Sequence, residues 1–397
     1  MRLTPRPRSA RLAPVLVLGA LSATPVFAQV PAAWPAAVRS FDQLVRTDSI
    51  VGGSIAYVKD GRFLARHDTG FADRSGGIPI SPRGIFHYGS ITKTLTAVAV
   101  LQLRDRGLLS LDDPITRWVP ELRQVHNPYG SMDGITLRML LSHSSGFQNP
   151  TWPWRKYVDW EPFEPTRWEQ LVAMMPYMEI RFAPGSRYSY SNPAYIYLAR
   201  VIESVTGDPW QSYIYKNIWG PLGIRESYFN RTPWHLAANR SNNYTLVRDS
   251  SGTERVLDNG REFDPGVTIP NGGWNAPLGD VAEWVRFLSG FTGGDTTRAR
   301  LYGVILSRAT LEEMWQPVVP TGQPGESMAL GFFVTMVDGT RLIGHTGEQA
   351  GFRSFFYLNP VTRAAVLGVV NTTNDARPDE SGRAFRAMLT AAQQVLR

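Results

Sequence analysis

The sequence predicts an α/β fold of the α+β type, in which terminal helices flank an antiparallel sheet that carries a mostly helical insertion. Near the start, apolar residues at helical spacing over residues 36–47 precede two β-type runs that meet at Asp60-Gly61, a strong hairpin signal. Near the end, four β-type runs with three short connections predict an antiparallel meander. These runs span residues 331–337, 341–345, 351–358 and 364–370.

A helix is predicted directly after the hairpin, where apolar residues fill positions 94–103 and Gly107 gives a stop signal. Ser90 and Lys93 then lie at the start of this helix, one turn apart on the same face. Further helices are predicted after Thr136 as N-cap, from residue 194, around residues 281–287 and over residues 381–396. Residues 240–270 are polar and rich in Gly and Asp, which predicts a loop.

The first 28 residues have the pattern of a secretory signal peptide that is cleaved after Ala28. Four arginines without an acid precede an apolar run over residues 12–23, which is too short to span a bilayer. Residues 29–397 are expected to form a single domain in the periplasm or outside the cell, without a stable membrane anchor. Its sheet lobe is predicted at about residues 36–104 and 266–397, and its helical lobe at about 105–265.

Composition narrows the classes of function. The chain has no cysteine among its 397 residues, so it can form neither disulfides nor thiolate metal sites. Removal of the leader lowers the formal charge from +7 to +3, which gives no indication of a nucleic-acid partner. The six histidines are isolated in sequence, so neither a metal nor another cofactor is predicted.

Ser90 and Lys93 together favour nucleophilic catalysis. A serine hydroxyl is a poor nucleophile until a base takes its proton, and a desolvated lysine can be that base. The start of a helix also offers backbone N–H groups to a developing oxyanion. Taken alone, the pair also fits a helix-capping serine beside a solvated lysine.

Three further stretches have two readings each. Tyr190 and Asn192 stand on a loop at a helix start, and they either face one cleft or form a capping turn with a buried tyrosine. His143 is either a base or a structural hydrogen-bonding group. The stretch from Pro150 to Trp168 is rich in tryptophan and proline, which predicts an ordered loop whose aromatic rings either clamp it to the body or wall an apolar pocket.

Three motifs in one order are more specific than any single motif: S-x-x-K at residues 90–93, Y-x-N at 190–192 and HTG at 345–347. In this order the sequence resembles the serine β-lactamase and penicillin-binding superfamily, in particular the class C β-lactamase-related branch, which also holds D-alanyl-D-alanine carboxypeptidases, D-aminopeptidases and carboxylesterases. The resemblance covers nearly all of the mature chain. It extends to LLSHSSG at 140–146, PLG at 221–223, GG at 272–273 and Asn371.

The resemblance implies a β-lactamase/transpeptidase-like catalytic domain and three catalytic residues. Ser90 would be the acyl-accepting nucleophile, and Lys93 its general base or proton relay. Tyr190 would carry protons to the leaving group and help to activate water.

The resemblance also implies the groups that hold the substrate. Asn192 would hydrogen-bond the acyl side, while His345, Thr346 and Gly347 would contact the substrate from the strand. The backbone N–H groups of Ser90 and Glu348 would form the oxyanion hole.

Two positions depart from the β-lactamases of this branch. His345 stands where lysine is usual and is a weaker anchor for a substrate carboxylate. Glu348 stands where a small residue is usual, and an inward carboxylate would repel such a substrate. Arg353 could replace the missing anchor, but it is expected to be an exposed strand arginine.

These observations predict an exported serine hydrolase that cleaves an ester or amide of a small-molecule or peptide substrate through an acyl-Ser90 intermediate. A D-alanyl-D-alanine carboxypeptidase or a β-lactamase, acting on cell-wall peptides or β-lactams, is the alternative within this class. A non-catalytic ligand-binding or sensor protein is the alternative from another class. The sequence gives no oligomeric state.

Overall fold

A computed structural model describes residues 29–147 and 165–397. The predicted signal peptide and nearly all of the stretch rich in tryptophan and proline lie outside these residues. Within them, no helix combines the length and the apolar character needed to cross a membrane.

The described residues form fourteen strands and thirteen α-helices. The strands are β1 (Gly52–Lys59), β2 (Arg62–Asp73), β3 (Ile78–Pro79), β4 (Ile85–His87), β5 (Tyr244–Arg248), β6 (Glu254–Asp258), β7 (Asn275–Pro277), β8 (Val319–Pro320), β9 (Glu326–Met328), β10 (Phe333–Val337), β11 (Thr340–Gln349), β12 (Phe352–Asn359), β13 (Ala364–Val370) and β14 (Thr372–Asn374). The helices are α1 (Trp34–Thr47), α2 (Thr92–Asp105), α3 (Ile115–Trp118), α4 (Leu137–Leu141), α5 (Trp168–Met174), α6 (Asn192–Thr206), α7 (Trp210–Ile214), α8 (Gly220–Leu222), α9 (Ile269–Gly272), α10 (Leu278–Ser289), α11 (Thr296–Ile305), α12 (Arg308–Met314) and α13 (Pro378–Gln394).

The main sheet of the described residues has nine strands in the order β3-β2-β1-β13-β12-β11-β10-β9-β8. All its pairings are antiparallel, including those of the predicted meander from β10 to β13. The hairpin of β1 and β2 turns at Asp60 and Gly61, which both have positive φ, as a tight hairpin turn requires. The predicted fold class is therefore confirmed.

The sheet is buried on both faces at β13, whose seven residues are all apolar and buried. In β13, the alternate residues Ala365, Leu367 and Val369 face the large core around α2, whereas Val366 and Val370 face a second core with α1 and α13. Residues 92–103 are buried on every side of α2, so α2 is the central helix of the molecule.

The prediction of a loop at residues 240–270 is wrong for the first half of this range. Strands β5 and β6 form an antiparallel hairpin there, and β5 pairs in parallel with β14. The Asp249 carboxylate closes the turn by accepting hydrogen bonds from the backbone N–H groups of Ser251 and Thr253 at 2.9 and 3.1 Å. Residues 244–248 read YTLVR, a β-type run that the polar residues around it obscured.

Candidate active site

Ser90 lies in the turn that leads into α2. The helix begins at Thr92, and the Lys93 N–H donates to the Ser90 carbonyl at 3.0 Å, so the two side chains are one turn apart as predicted. Thr92 anchors this turn, because its hydroxyl donates to the Gly89 carbonyl at 2.7 Å and accepts from the Trp274 N–H at 3.0 Å. The nucleophile candidate thus stands on the central helix of the core.

The Lys93 amine makes three polar contacts. Its Nζ lies 2.8 Å from Asn192 Oδ1, 2.8 Å from the Asn271 carbonyl oxygen and 3.0 Å from Ser90 Oγ. The first two partners are pure acceptors, so they take the two N–H bonds of a neutral amine. The remaining lone pair is then directed at the Ser90 hydroxyl.

The surroundings of Lys93 favour this neutral form. Lys93 is 0 % exposed, and burial lowers its pKa well below the ordinary value. The solvated lysine of the alternative reading is therefore wrong.

Tyr190 lies close to both Ser90 and Lys93. Its hydroxyl is hydrogen-bonded to the Ser90 side chain, and Lys93 Nζ lies 4.9 Å from the centre of its ring. Burial raises the pKa of Tyr190, an effect that the bond to Ser90 offsets in part, so the phenol keeps its proton at neutral pH.

Ser191 is the N-cap of α6 and accepts a hydrogen bond from the Ala194 N–H at 3.3 Å. Asn192 is the first helical residue, and its Oδ1 accepts from Lys93 and from Asn271 Nδ2 at 3.2 Å. The family resemblance implied that Asn192 faces the substrate, but nothing in the sequence indicated the contact with Lys93.

Strand β11 forms the opposite wall. Gly89 has a φ of +51°, and a Cβ there would lie 2.9 Å from Glu348 N, so the backbone before Ser90 runs directly beside Glu348. At Gly347 a Cβ would lie 2.0 Å from the Tyr88 carbonyl oxygen, so only glycine allows this approach. The arrangement suits an oxyanion hole made by Ser90 N and Glu348 N.

His345 is buried rather than placed on the cleft wall. It is 1 % exposed, its Nδ1 lies 2.5 Å from the Thr346 carbonyl oxygen, and its ring centre lies 5.1 Å from that of Phe333. Burial, with a smaller effect of Lys93, lowers the pKa of His345 to about 3, so the ring is neutral. A direct contact of His345 with substrate stays a prediction.

Glu348 is one of the residues that line the cleft, and its carboxylate is ion-paired. Its side chain is 56 % exposed, and its Oε2 accepts from Arg353 Nε at 2.6 Å. The expectation of an exposed Arg353 is wrong, because this side chain is 11 % exposed and also contacts Ser381 Oγ at 2.6 Å and Asp48 Oδ2 at 3.4 Å. Arg353 is held by these groups and is therefore not an open anchor for a substrate carboxylate.

The cleft is open to solvent and has a volume of about 340 Å³, which is room for a small ester or amide. It is lined by Ser90, Tyr190, Asn192, Phe333, Thr346, Gly347, Glu348 and Phe385. Sequence reasoning missed Phe333 and Phe385, because no motif marks an apolar wall that comes from β10 and α13. It also missed Asn271, which acts through its backbone carbonyl.

Comparison with known proteins identifies the family. The model of the Beta-lactamase family matches residues 37–391, and the chain belongs to this family. Esterase EstB of Burkholderia gladioli is 32 % identical over 255 residues, which are 59 % of this chain and 64 % of the esterase. Penicillin-binding protein 4* of Bacillus subtilis (strain 168) is 24 % identical over 363 residues, which are 87 % of this chain and 72 % of that protein.

Solved structures share the fold. The octameric penicillin-binding protein homologue from Pyrococcus abyssi matches with a TM-score of 0.73 and 24 % identity, over 91 % of this chain and 77 % of its own. The D-amino acid amidase from Ochrobactrum anthropi SV3 matches with a TM-score of 0.71 and 21 % identity, over 91 % and 98 %. An esterase, an amidase and class C β-lactamases are among the matches, so the family is one of serine hydrolases.

Proposed function

We propose that this protein is an exported serine hydrolase that cleaves esters or amides through an acyl-Ser90 intermediate. The contact of 3.0 Å between Lys93 Nζ and Ser90 Oγ carries the proposal, because the two carbonyl-type acceptors leave the amine lone pair for the serine proton. Lys93 is the general base, and the backbone N–H groups of Ser90 and Glu348 hold the oxyanion.

The proton follows a short path in this proposal. Ser90 Oγ attacks the carbonyl carbon while its proton passes to Lys93 Nζ, and a tetrahedral intermediate forms. Tyr190, which keeps its phenolic proton, donates that proton to the leaving alkoxide or amine as the bond breaks and recovers a proton from the lysine ammonium. Water then attacks the carbonyl carbon of the acyl-enzyme, the bond from this carbon to Ser90 Oγ breaks, and one proton of the water returns to Ser90 Oγ as the acid is released.

The cleft favours substrates without a carboxylate close to the bond that is cleaved. Among the lining residues that the structure describes, Glu348 carries the charged side chain. His345 is neutral, and Arg353 is held by Glu348, Ser381 and Asp48. Phe333 and Phe385 add apolar walls. These features support an esterase or broad acyl hydrolase over a β-lactamase or a D-alanyl-D-alanine carboxypeptidase.

A panel of three substrates tests the proposal. The protein and its Ser90→Ala variant are assayed with a short-chain nitrophenyl ester, a chromogenic cephalosporin and a D-Ala-D-Ala peptide. We expect turnover of the ester that is lost in Ser90→Ala, with little turnover of the other two. Turnover of the peptide or the cephalosporin at a comparable rate would support the alternative within this class. No Ser90-dependent turnover of any substrate would favour a ligand-binding protein.

Export is a separate proposal that rests on residues 1–28 of the sequence. The full-length chain is expressed in a bacterial host, and the periplasmic fraction is analysed by intact mass spectrometry. We expect a product that begins at Gln29. A cytoplasmic product that retains the leader would contradict export without affecting the hydrolase proposal.

A further inference from the structure

His143 makes three contacts with the turn that carries Tyr190. Its carbonyl oxygen accepts from the Ser189 N–H at 2.8 Å, and its Nδ1 accepts from the Ser191 N–H at 3.0 Å. Between these two bonds, its ring centre lies 4.3 Å from that of Tyr190 at an interplanar angle of 32°. The residues before and after Tyr190 and the phenol ring itself are thus fixed by one residue.

Two features of His143 are energetically unfavourable. It follows α4 with a φ of +54°, which non-glycine residues adopt rarely. Its Nδ1 accepts, so a neutral ring carries its proton on Nε2, which is buried and has no partner among the described residues. Backbone strain and an unpaired buried group persist where their geometry serves a site.

The charge state of His143 is suited to this role. Burial lowers the pKa of His143 well below its ordinary value, so Nδ1 stays free to accept. His143 has no hydrogen bond to Ser90 in the described structure, whereas Lys93 does. The reading of His143 as the base is therefore not supported.

We propose that His143 is a positioning residue that sets the Tyr190 hydroxyl against Ser90 through its bond to the Ser191 N–H. The inference rests on the proposed function, in which Tyr190 protonates the leaving group. It assigns a role to the LLSHSSG stretch at residues 140–146, none of which is among the residues that line the cleft.

The dependence of the rate on the leaving group tests this role. A good leaving group departs with little protonation, whereas a poor one departs only when it is protonated. The measured quantity is the ratio of kcat/KM for a nitrophenyl ester to that for an ethyl ester of the same acid. Tyr190→Phe is the reference. It should raise this ratio about tenfold or more, because kcat/KM should fall more for the ethyl ester than for the nitrophenyl ester. A residue that only supports the fold would lower both rates together and leave the ratio unchanged.

Two variants separate the contribution of the His143 ring from that of its Nδ1 acceptor. His143→Phe keeps a ring but removes the acceptor, and it should raise the ratio as Tyr190→Phe does, through kcat rather than KM. His143→Asn keeps an acceptor at the position of Nδ1 and tolerates positive φ, so it should keep the ratio within about threefold of the unmodified protein. Thermal unfolding of each variant shows whether it is folded, and His143→Asn remains informative if His143→Phe is not.

The results distinguish failure of this inference from failure of the proposed function. An unchanged ratio in His143→Phe, or a ratio in His143→Asn that rises as far as in Tyr190→Phe, would overturn the positioning role alone. Absence of Ser90-dependent turnover of both esters would overturn the proposed function and with it the inference.

Discussion

At the scale of single residues, proton transfer from Ser90 depends on the direction of the lone pair on Lys93 Nζ. Asn192 Oδ1 and the Asn271 carbonyl take up two N–H bonds of the amine, and burial lowers its pKa well below the ordinary value, which favours the neutral form. Neither acceptor carries a charge, so they stabilise the ammonium form less than a carboxylate at the same distance would. A base that is positioned in this way is ready to take the Ser90 proton.

Asn192→Asp tests this balance. A carboxylate 2.8 Å from Nζ would stabilise the ammonium and raise the pKa of Lys93. A higher pKa means that the lysine stays protonated up to a higher pH, so the acidic limb of kcat/KM against pH should move upward by about one unit or more. The neutral Asn192→Leu variant serves as control and should lower the rate without this upward shift. An acidic limb that does not move in Asn192→Asp would argue against Lys93 as the base.

Glu348 controls the charge preference of the cleft in this account. Glu348→Gln removes a carboxylate that is half-exposed, so the rate with a carboxylate-bearing ester should rise about three- to tenfold relative to its neutral analogue. Glu313→Gln is the matched control, because Glu313 also pairs with an arginine, Arg104, but at the far end of α2, about 20 Å from Ser90. Equal effects of the two variants would contradict a local role of Glu348.

At the scale of elements, the site depends on how closely β11 approaches the start of α2. Gly347 lies against the Tyr88 carbonyl, and Ser354 Oγ of β12 donates to the same oxygen at 2.8 Å. Two strands of the sheet are thus fixed to the backbone just before the nucleophile. This contact keeps the two N–H groups of the proposed oxyanion hole together.

Gly347→Ala should break this approach, because its Cβ would stand 2.0 Å from Tyr88 O. Loss of one oxyanion donor costs about 100- to 1000-fold in kcat, and we expect a fall of this order. Gly279→Ala in α10 is the control, since its Cβ would meet nothing within 4 Å. Near-normal kcat in a folded Gly347→Ala protein would show that the proximity of β11 is not needed.

At the scale of the whole molecule, buried histidines link stability to pH. Burial lowers the pKa of His87 to about 4 and that of His345 to about 3, and it lowers the pKa of His143 well below its ordinary value. Their unfolded forms take up a proton near pH 6.5, so the unfolded state binds more protons below that pH. The stability from these neutral rings is complete above about pH 6.5 and falls as the pH decreases towards 4.

Urea unfolding between pH 7 and pH 4.5 measures this effect. Each such histidine should remove up to about 1.4 kcal/mol of unfolding free energy per pH unit below 6.5. His345→Asn removes one of the three groups and should make the dependence less steep than in the unmodified protein. A variant with the same slope would show that His345 is not buried in its neutral form.

Periodicity in the sequence was sufficient to predict the elements whose neighbours are close in the chain. The meander from β10 to β13 and the hairpin of β1 and β2 follow from alternating or apolar runs and short turns, both of which are local signals. The hairpin of β5 and β6 was missed because its strands are short, partly exposed and surrounded by polar residues. Its pairing with β14 joins residues more than 120 positions apart, which no local pattern reveals.

The sequence predicted the site residues that act through their side chains. It did not predict the residue that acts through its backbone carbonyl or the burial of Arg353. Ser90, Lys93 and Tyr190 stand together in the structure, and their motifs pointed to them. Asn271 supplies only a carbonyl, and Arg353 lost its exposure to contacts with Asp48 and Ser381, residues far from it in sequence. Contacts of this kind depend on the packing of α1 and α13 against the sheet.

The most direct measurement of the central claim is intact-mass and peptide analysis after reaction with a fluorophosphonate, which labels an activated serine. We expect one adduct on the unmodified protein, located at Ser90, none on Ser90→Ala, and labelling of Lys93→Ala that is slower by about 100-fold or more. Labelling at another residue, or labelling of Lys93→Ala at the rate of the unmodified protein, would contradict the assignment of Ser90 as nucleophile and Lys93 as its base.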